Sequence, residues 1–173
     1  MDTWTRLALA ARDERTEAAQ AAFVRATQAD VWRLCAYLGD RDHADDLAQE
    51  TYARALKSLR TFRGDAPAKS WLFTIVRRVA ADDLARRQRR RREPLTTLEV
   101  RPDHQDWVSV EQLLAGLDED RRTAFVLTQL LGYSYAEAAE LCGCPIGTIR
   151  SRVARAREGL IGLVADEPLR TRA

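Results

Sequence analysis

Six of the seven residues from Arg86 to Arg92 are arginine, and Arg77 and Arg78 lie on the same stretch. A block this dense repels itself unless a polyanion neutralises it, which points to phosphate binding. Phe62, Trp71 and Phe73 lie near the start of that segment. Rings beside a basic track suit single-stranded nucleic acid, because bases stack on aromatics while phosphates meet arginines. Phe73 also reads as an ordinary core residue. A second basic run carries Thr148, Arg150, Ser151, Arg155 and Arg157 around an apolar stripe of Ile149, Val153, Ala156 and Leu160. Of opposite sign is the segment from Ala44 to Leu56, where Asp45, Asp46, Gln49 and Glu50 point away from Leu47, Tyr52 and Leu56. Such a face can dock on a basic partner. The same residues equally suit a solvated helix whose first-turn acids answer the macrodipole.

No set of residues has the spacing of a catalytic site. There is no Gly-rich phosphate loop, and His43 and His104 sit in unrelated contexts. Asp82 and Asp83 form a carboxylate pair with no histidine near them. Cys142 and Cys144, with Cys35, raise zinc or redox chemistry. The first two fall in a turn where small, semi-apolar residues pack well, and no histidine completes a ligand set. The expectation is therefore no enzymatic activity, no metal and no cofactor.

The elements that must position these residues are helical. Ala, Leu, Arg, Glu and Asp dominate the chain and strand signals are nearly absent. The pattern predicts helices over Trp4–Arg12, Thr16–Leu38 (stopped by Gly39) and Asp42–Leu59. A loop follows over Phe62–Ala68, marked by its Gly and Pro. Ser70 is expected to cap a helix running to about Arg92, with the apolar stripe Leu72, Ile75, Val76, Val79 and Leu84 facing inward. Glu93 to Gln105 has proline, threonine and charge without periodicity and reads as a linker. Val108–Leu114 and Asp120–Leu131 are then helical. Tyr133 to Arg157 reads as two helices joined by a tight turn. Ser134 and Glu137 form a capping box, Ala139 is small enough for a close crossing, Gly143 can take a positive φ, and Pro145 suits the next helix start. This reads as a helix-turn-helix whose second helix suits a DNA major groove, the alternative being an ordinary helical hairpin with a solvated basic face. No internal repeat is visible.

Composition bounds the rest. The 173 residues suit one medium or two small domains, with 46% hydrophobic and 31% charged residues and a net charge of +2. The basic character is thus local. No apolar run approaches the roughly 20 residues a membrane span needs, and the N-terminus lacks a signal-peptide core. Three cysteines argue against a disulfide framework and for a reducing cytoplasm.

The order of these pieces resembles the extracytoplasmic-function sigma factors of RNA polymerase. The motifs are the acidic D-D-L-A-Q-E-T helix, the F-R-G-D loop and the W-L-F-x-I helix ending in arginines. A linker and G-Y-S-Y-A-E-A-A…G-T-I-R-S-R-V-A-R-A-R follow, so that residues 18 to 164 are covered. Thr-Gln-Leu-Leu-Gly and Cys-Gly-Cys-Pro are similar to the SigC-type branch seen in actinobacteria. The resemblance implies an all-α chain of two domains, sigma-2 over residues 1–92 and sigma-4 over 108–173, with a flexible linker over 93–107. It implies that Asp45, Asp46, Gln49 and Glu50 bind the β′ clamp helices of core polymerase. It also implies that the loop with Phe62, Arg63, Gly64, Asp65 and Lys69 captures a flipped base of the −10 element. Trp71, Arg77, Arg78, Arg86 and Arg87 would meet the −10 strand and its upstream edge. Thr148, Arg150, Ser151, Ala154 and Arg155 would read the −35 element. The linker would thread toward the RNA exit path.

The implied partners are core RNA polymerase (β′ clamp helices and β flap), promoter DNA and a candidate anti-sigma factor, with no membrane and no small-molecule substrate. Arg78 stands where many members carry Asn, and Thr128 where many carry Arg. The other reading is an autonomous helix-turn-helix regulator, which needs a dimerisation or ligand domain that the N-terminal half does not resemble. A free chain is expected to be compact, with acids such as Glu119 and Asp120 answering the Arg86–Arg92 track.

Overall fold

The computed structural model describes residues 1–92 and 110–165, and the expected linker and His104 lie outside them. Among the described residues every element is helical. The first domain contains α1 (Thr3–Glu14), α2 (Glu17–Leu38), α3 (Ala44–Ser58) and α4 (Ala68–Arg92), with 3-10 turns at Arg41–His43 and Leu59–Thr61. The second contains α5 (Val110–Ala115), α6 (Glu119–Phe125), α7 (Tyr135–Cys142) and α8 (Ile146–Ala165).

Local chemistry sets the boundaries. Asp2 caps α1 by accepting from Thr5 N at 3.0 Å, and Thr16 caps α2 by accepting from Ala19 N at 3.2 Å. Gly39 ends α2 as expected, but not through a left-handed turn: its φ is −105°. A Cβ there would lie 2.5 Å from Leu47 Cδ1 and 2.9 Å from the Cys35 carbonyl oxygen, so the glycine allows α3 to approach. Helix α4 begins two residues before the expected Ser70 cap. The Pro67 carbonyl accepts from Ser70 N and Trp71 N at 3.0 and 3.2 Å, so Pro67 supplies the first turn's acceptor. The single helix expected over Asp120–Leu131 changes character at Val126, where a π turn runs to Leu130. It buries Val126 and Leu127 side by side, and Thr128 Oγ1 donates back to the Ala124 carbonyl at 2.8 Å.

Each domain closes on its own apolar residues. Phe23, Val31, Leu72, Phe73, Val76 and Val79 are fully buried in the first, and Leu114, Val126, Leu127, Ile149 and Val153 in the second. Burying each such side chain contributes about 1.5–3 kcal/mol. Of the inward stripes expected on α4 and α8, Leu72, Val76, Val79, Ile149, Val153 and Ala156 are buried, whereas Ile75, Leu84 and Leu160 are half-buried, and Phe73 is core. Helix α7 also lies against α4, so the two domains touch.

Candidate nucleic-acid interfaces and docking face

Helix α3 buries Ala44, Leu47, Thr51 and Ala55. That register leaves Asp45, Asp46, Gln49 and Glu50 exposed together on the other side. Asp45 accepts from Trp32 Nε1 at 2.9 Å, and Glu50 pairs with Arg54 at 2.7 Å. Arg54 in turn reaches Asp82 at 2.8 Å. Among the described residues Asp46 and Gln49 have no such partner across the domain, so the face is acidic and only lightly engaged.

The loop between the Leu59–Thr61 turn and α4 exposes Arg63, Asp65, Ala66 and Pro67. Arg63 and Asp65 pair at 2.9 Å in full solvent contact. Gly64 has φ +77°, a conformation L side chains rarely adopt. Phe62, expected to stack on a base, is buried to 6% exposure with its ring 4.9 Å from Trp71. Its ring anchors the loop by packing against Trp71 of α4. Trp71 stays half-buried, packed against Phe62 and Phe23, and lines a cleft of about 580 Å³ with Thr74, Arg77, Arg78 and Cys142.

The basic residues of α4 divide into two groups. Arg78, Arg86 and Arg89 are exposed. Arg87 is committed to Asp83 and Asp40, and Arg77 to Glu119 (2.8 Å) and Asp120 (3.3 Å) of the second domain. Glu119 and Asp120, expected to answer the Arg86–Arg92 track, meet Arg77, where α7 seats the second domain beside the middle of α4. Burial opposes the Arg77 charge, but the two carboxylates outweigh it and raise its pKa. Lys69 also faces the second domain, its Nζ 4.4 Å from the Tyr133 ring centroid and 5.8 Å from that of Trp4.

The helix-turn-helix forms as its sequence requires. Ser134 accepts from Glu137 N at 3.2 Å while the Glu137 carboxylate accepts from Ser134 N at 2.8 Å. These bonds hold the Glu137 carboxyl below its ordinary pKa. Gly143 takes φ +61° as the left-handed cap of α7. On α8, Ile149, Val153 and Ala156 are buried, and Arg150, Ser151, Ala154 and Arg155 form an exposed strip opposite them. Thr148 is half-buried at the strip's edge, its carbonyl accepting from Ser151 Oγ at 2.9 Å.

Sequence reading missed Arg152, which pairs with Asp120 and lies 3.5 Å from Cys144 Sγ. Its place beside Val153, at the border of the apolar stripe, was the available signal. Asp120 therefore ties both Arg77 of α4 and Arg152 of α8. Helix α1 forms where a helix over Trp4–Arg12 was expected, but no residue of it was singled out as functional.

Two helical domains, one a helix-turn-helix with an exposed basic strip, define a DNA-binding protein with separate contact faces. A model of sigma-70 region 2 matches residues 23–90, and one of sigma-70 region 4 matches 107–160. The chain is 47% identical over 168 residues to the ECF RNA polymerase sigma factor SigC of Mycobacterium tuberculosis, covering 91% of this chain and 89% of that protein. It is 39% identical over 133 residues to the ECF RNA polymerase sigma factor EcfG of Rhodopseudomonas palustris, covering 73% and 74%. The solved structure of CnrH in complex with the cytosolic domain of CnrY aligns with TM-score 0.67 at 26% identity, covering 96% of this chain and 99% of that one. The sigma factor RpoE in complex with the anti-sigma factor NepR from Bartonella quintana aligns with TM-score 0.58 at 31% identity, covering 82% and 94%. The chain belongs to the extracytoplasmic-function group of sigma-70 RNA polymerase sigma factors. It directs promoter recognition and transcription initiation through −10 and −35 binding. No described helix is long and apolar enough to cross a membrane.

Proposed function

We propose that this sigma factor divides its work among three faces and acts in the cytoplasm without covalent chemistry of its own. Asp45, Asp46, Gln49 and Glu50 dock on the β′ clamp helices. The 62–69 loop and the exposed side of α4 take the unpaired −10 strand, which shifts the duplex toward the open form. Arg150, Ser151, Ala154 and Arg155 enter the major groove at −35, while the rest of the second domain leans on the β flap. The observation that carries this reading is the exposed strip on α8, whose opposite side is buried core. Phosphate and base contacts there separate by experiment: a −35 duplex should bind with a steep salt slope, and scrambling its sequence should weaken binding. Equal affinity for both sequences at every salt concentration would refute base reading.

We further propose that the free chain is closed, with Arg77 withheld from DNA by Glu119 and Asp120. The distances of 2.8 and 3.3 Å support this. Pairs this exposed are worth about 0–1 kcal/mol each, so the closure biases the chain without locking it. A partner that binds only the open form reverses it; about 5.5 kcal/mol of differential binding carries a 1:99 equilibrium to 99:1. Core polymerase opens the chain, and an anti-sigma protein of the kind seen with RpoE holds it shut.

Small-angle scattering should show a compact particle at low salt. It should expand near 1 M salt, where the Debye length falls to about 3 Å. An extended particle at both salt concentrations would exclude closure. A chemical readout is independent of shape. Burial pushes the Cys142 thiol up to about 11, with Cys144 adding to the rise and Arg77 working against it. Because Cys142 lines the cleft beside Trp71 and Arg77, its alkylation at pH 8 should be slow in wild type and faster in Glu119→Gln/Asp120→Asn. Equal alkylation rates, followed by mass spectrometry, would contradict the closed form.

A further inference from the structure

Helix α1 lies before the residues that match the region 2 model. Three of its side chains nonetheless meet the 62–68 segment, and they recur as i, i+4 and i+7 on one helix face. Thr5 Oγ1 accepts from Ala68 N at 2.8 Å in a buried contact and donates to Asp2 Oδ2 at 2.6 Å. Leu9 lies under the loop's crest: a Cβ on Gly64 would come 3.3 Å from both Leu9 Cδ1 and Cδ2. Arg12 Nη1 donates to the Phe62 carbonyl at 2.8 Å. The loop therefore runs along α1, held at its start, crest and end. Its outward residues Arg63, Asp65, Ala66 and Pro67 stay exposed.

These contacts differ in kind from the packing of a generic helix. Two of the three go to main-chain atoms, so they fix the path of the loop without engaging the exposed side chains of Arg63, Asp65, Ala66 and Pro67. The third crowds any side chain at Gly64, where a Cβ would lie 3.3 Å from Leu9 and φ is already +77°. A loop of six residues between two helical ends, pinned in this way, presents one conformation to an incoming base. Preorganisation of this sort removes the ordering cost that a loose loop meets on binding, and a single fixed shape favours the base that fits it over those that do not.

We propose that α1 is the positioning element of the −10 reading loop, with Thr5, Leu9 and Arg12 setting the loop conformation and through it the preference for the captured base. This rests on the reading of the 62–69 loop as the −10 element's receptor. Thr5, Leu9 and Arg12 touch no DNA; they act through Ala68, Gly64 and Phe62.

The test uses the full chain with core polymerase, a promoter library randomised at −10, and three variants: Thr5→Val, Arg12→Gln and Thr5→Ser. Hydrogen exchange of the Ala68 amide should speed up in Thr5→Val by about three- to tenfold, the worth of one net hydrogen bond. Preference at the captured base should fall by a similar factor in Thr5→Val and Arg12→Gln. Binding to core and −35 preference should stay as in wild type, and Thr5→Ser should restore both readouts. A uniform loss over all −10 sequences would mean that α1 serves stability alone and would overturn the proposal. So would an unchanged −10 profile in both Thr5→Val and Arg12→Gln. Arg12→Gln, at a half-buried residue outside the apolar core, decides the matter if Thr5→Val fails to fold. Loop variants Arg63→Ala and Asp65→Ala separate the two levels. If they change the −10 profile and the α1 variants do not, the positioning role falls and the loop reading stands. If the loop variants leave the profile unchanged, both fall.

Discussion

Replacing Asp46 and Glu50 together by lysine is expected to abolish binding to core RNA polymerase while leaving the fold intact. Both residues sit on the exposed side of α3, opposite Leu47, Thr51 and Ala55, so the substitution disturbs no core contact. Its structural cost is confined to the Glu50–Arg54 pair, where two cations would face each other at the surface. Surface pairs of this kind contribute about 0–1 kcal/mol. The binding cost is of another order, because reversed charge sets like against like at a docked basic surface. Losing such contacts costs roughly 2–5 kcal/mol, which is enough to remove the complex at ordinary concentrations. Co-purification with core enzyme, alongside a thermal melt of the isolated variant, measures both. Unchanged co-purification would end the clamp-docking assignment.

The −35 strip should divide into a base reader and a phosphate contact. Arg150 and Arg155 are both exposed on α8, and five residues of helix turn them roughly 140° apart, astride Ser151 and Ala154. Only one can point straight into the groove floor. Its alanine variant should lose about 1–3 kcal/mol and relax preference at one position, whereas the other should weaken all sequences alike and flatten the salt slope by about one unit. Selections on −35 libraries with each variant distinguish the two. Neither variant changing affinity or preference would remove α8 from its assigned role. Arg152 serves as the internal control: it is turned to Asp120, so Arg152→Ala should act on domain closure more than on base preference.

What could be read from the sequence was local. The capping box at Ser134 and Glu137, the left-handed Gly143, and the apolar stripes of α4 and α8 depend on neighbours three or four residues away. The exposed acidic face of α3 followed from its register alone. What escaped was long-range. Nothing near Phe62 announces that its ring will be buried against Trp71. Arg77 looks like any other arginine of its run until the second domain brings Glu119 and Asp120 within 3.3 Å. The Thr5–Ala68 bond joins residues 63 positions apart, and Thr5 is a type common in any first helical turn. Gly39 was read as a stop, but the constraint that a glycine meets there comes from Leu47 on another helix, which the local sequence does not show. The π turn at Val126 likewise reflects the need to bury two successive side chains, which a 3.6-residue period cannot show.

The most direct measurement is run-off transcription from a duplex bearing −10 and −35 elements selected with this protein. Purified core RNA polymerase, the chain and the template are combined and each is omitted in turn. The account predicts a defined transcript only when core and chain are both present, and its loss with the Asp46→Lys/Glu50→Lys variant. A transcript that forms without the chain, or one that persists undiminished with the double variant, would contradict it.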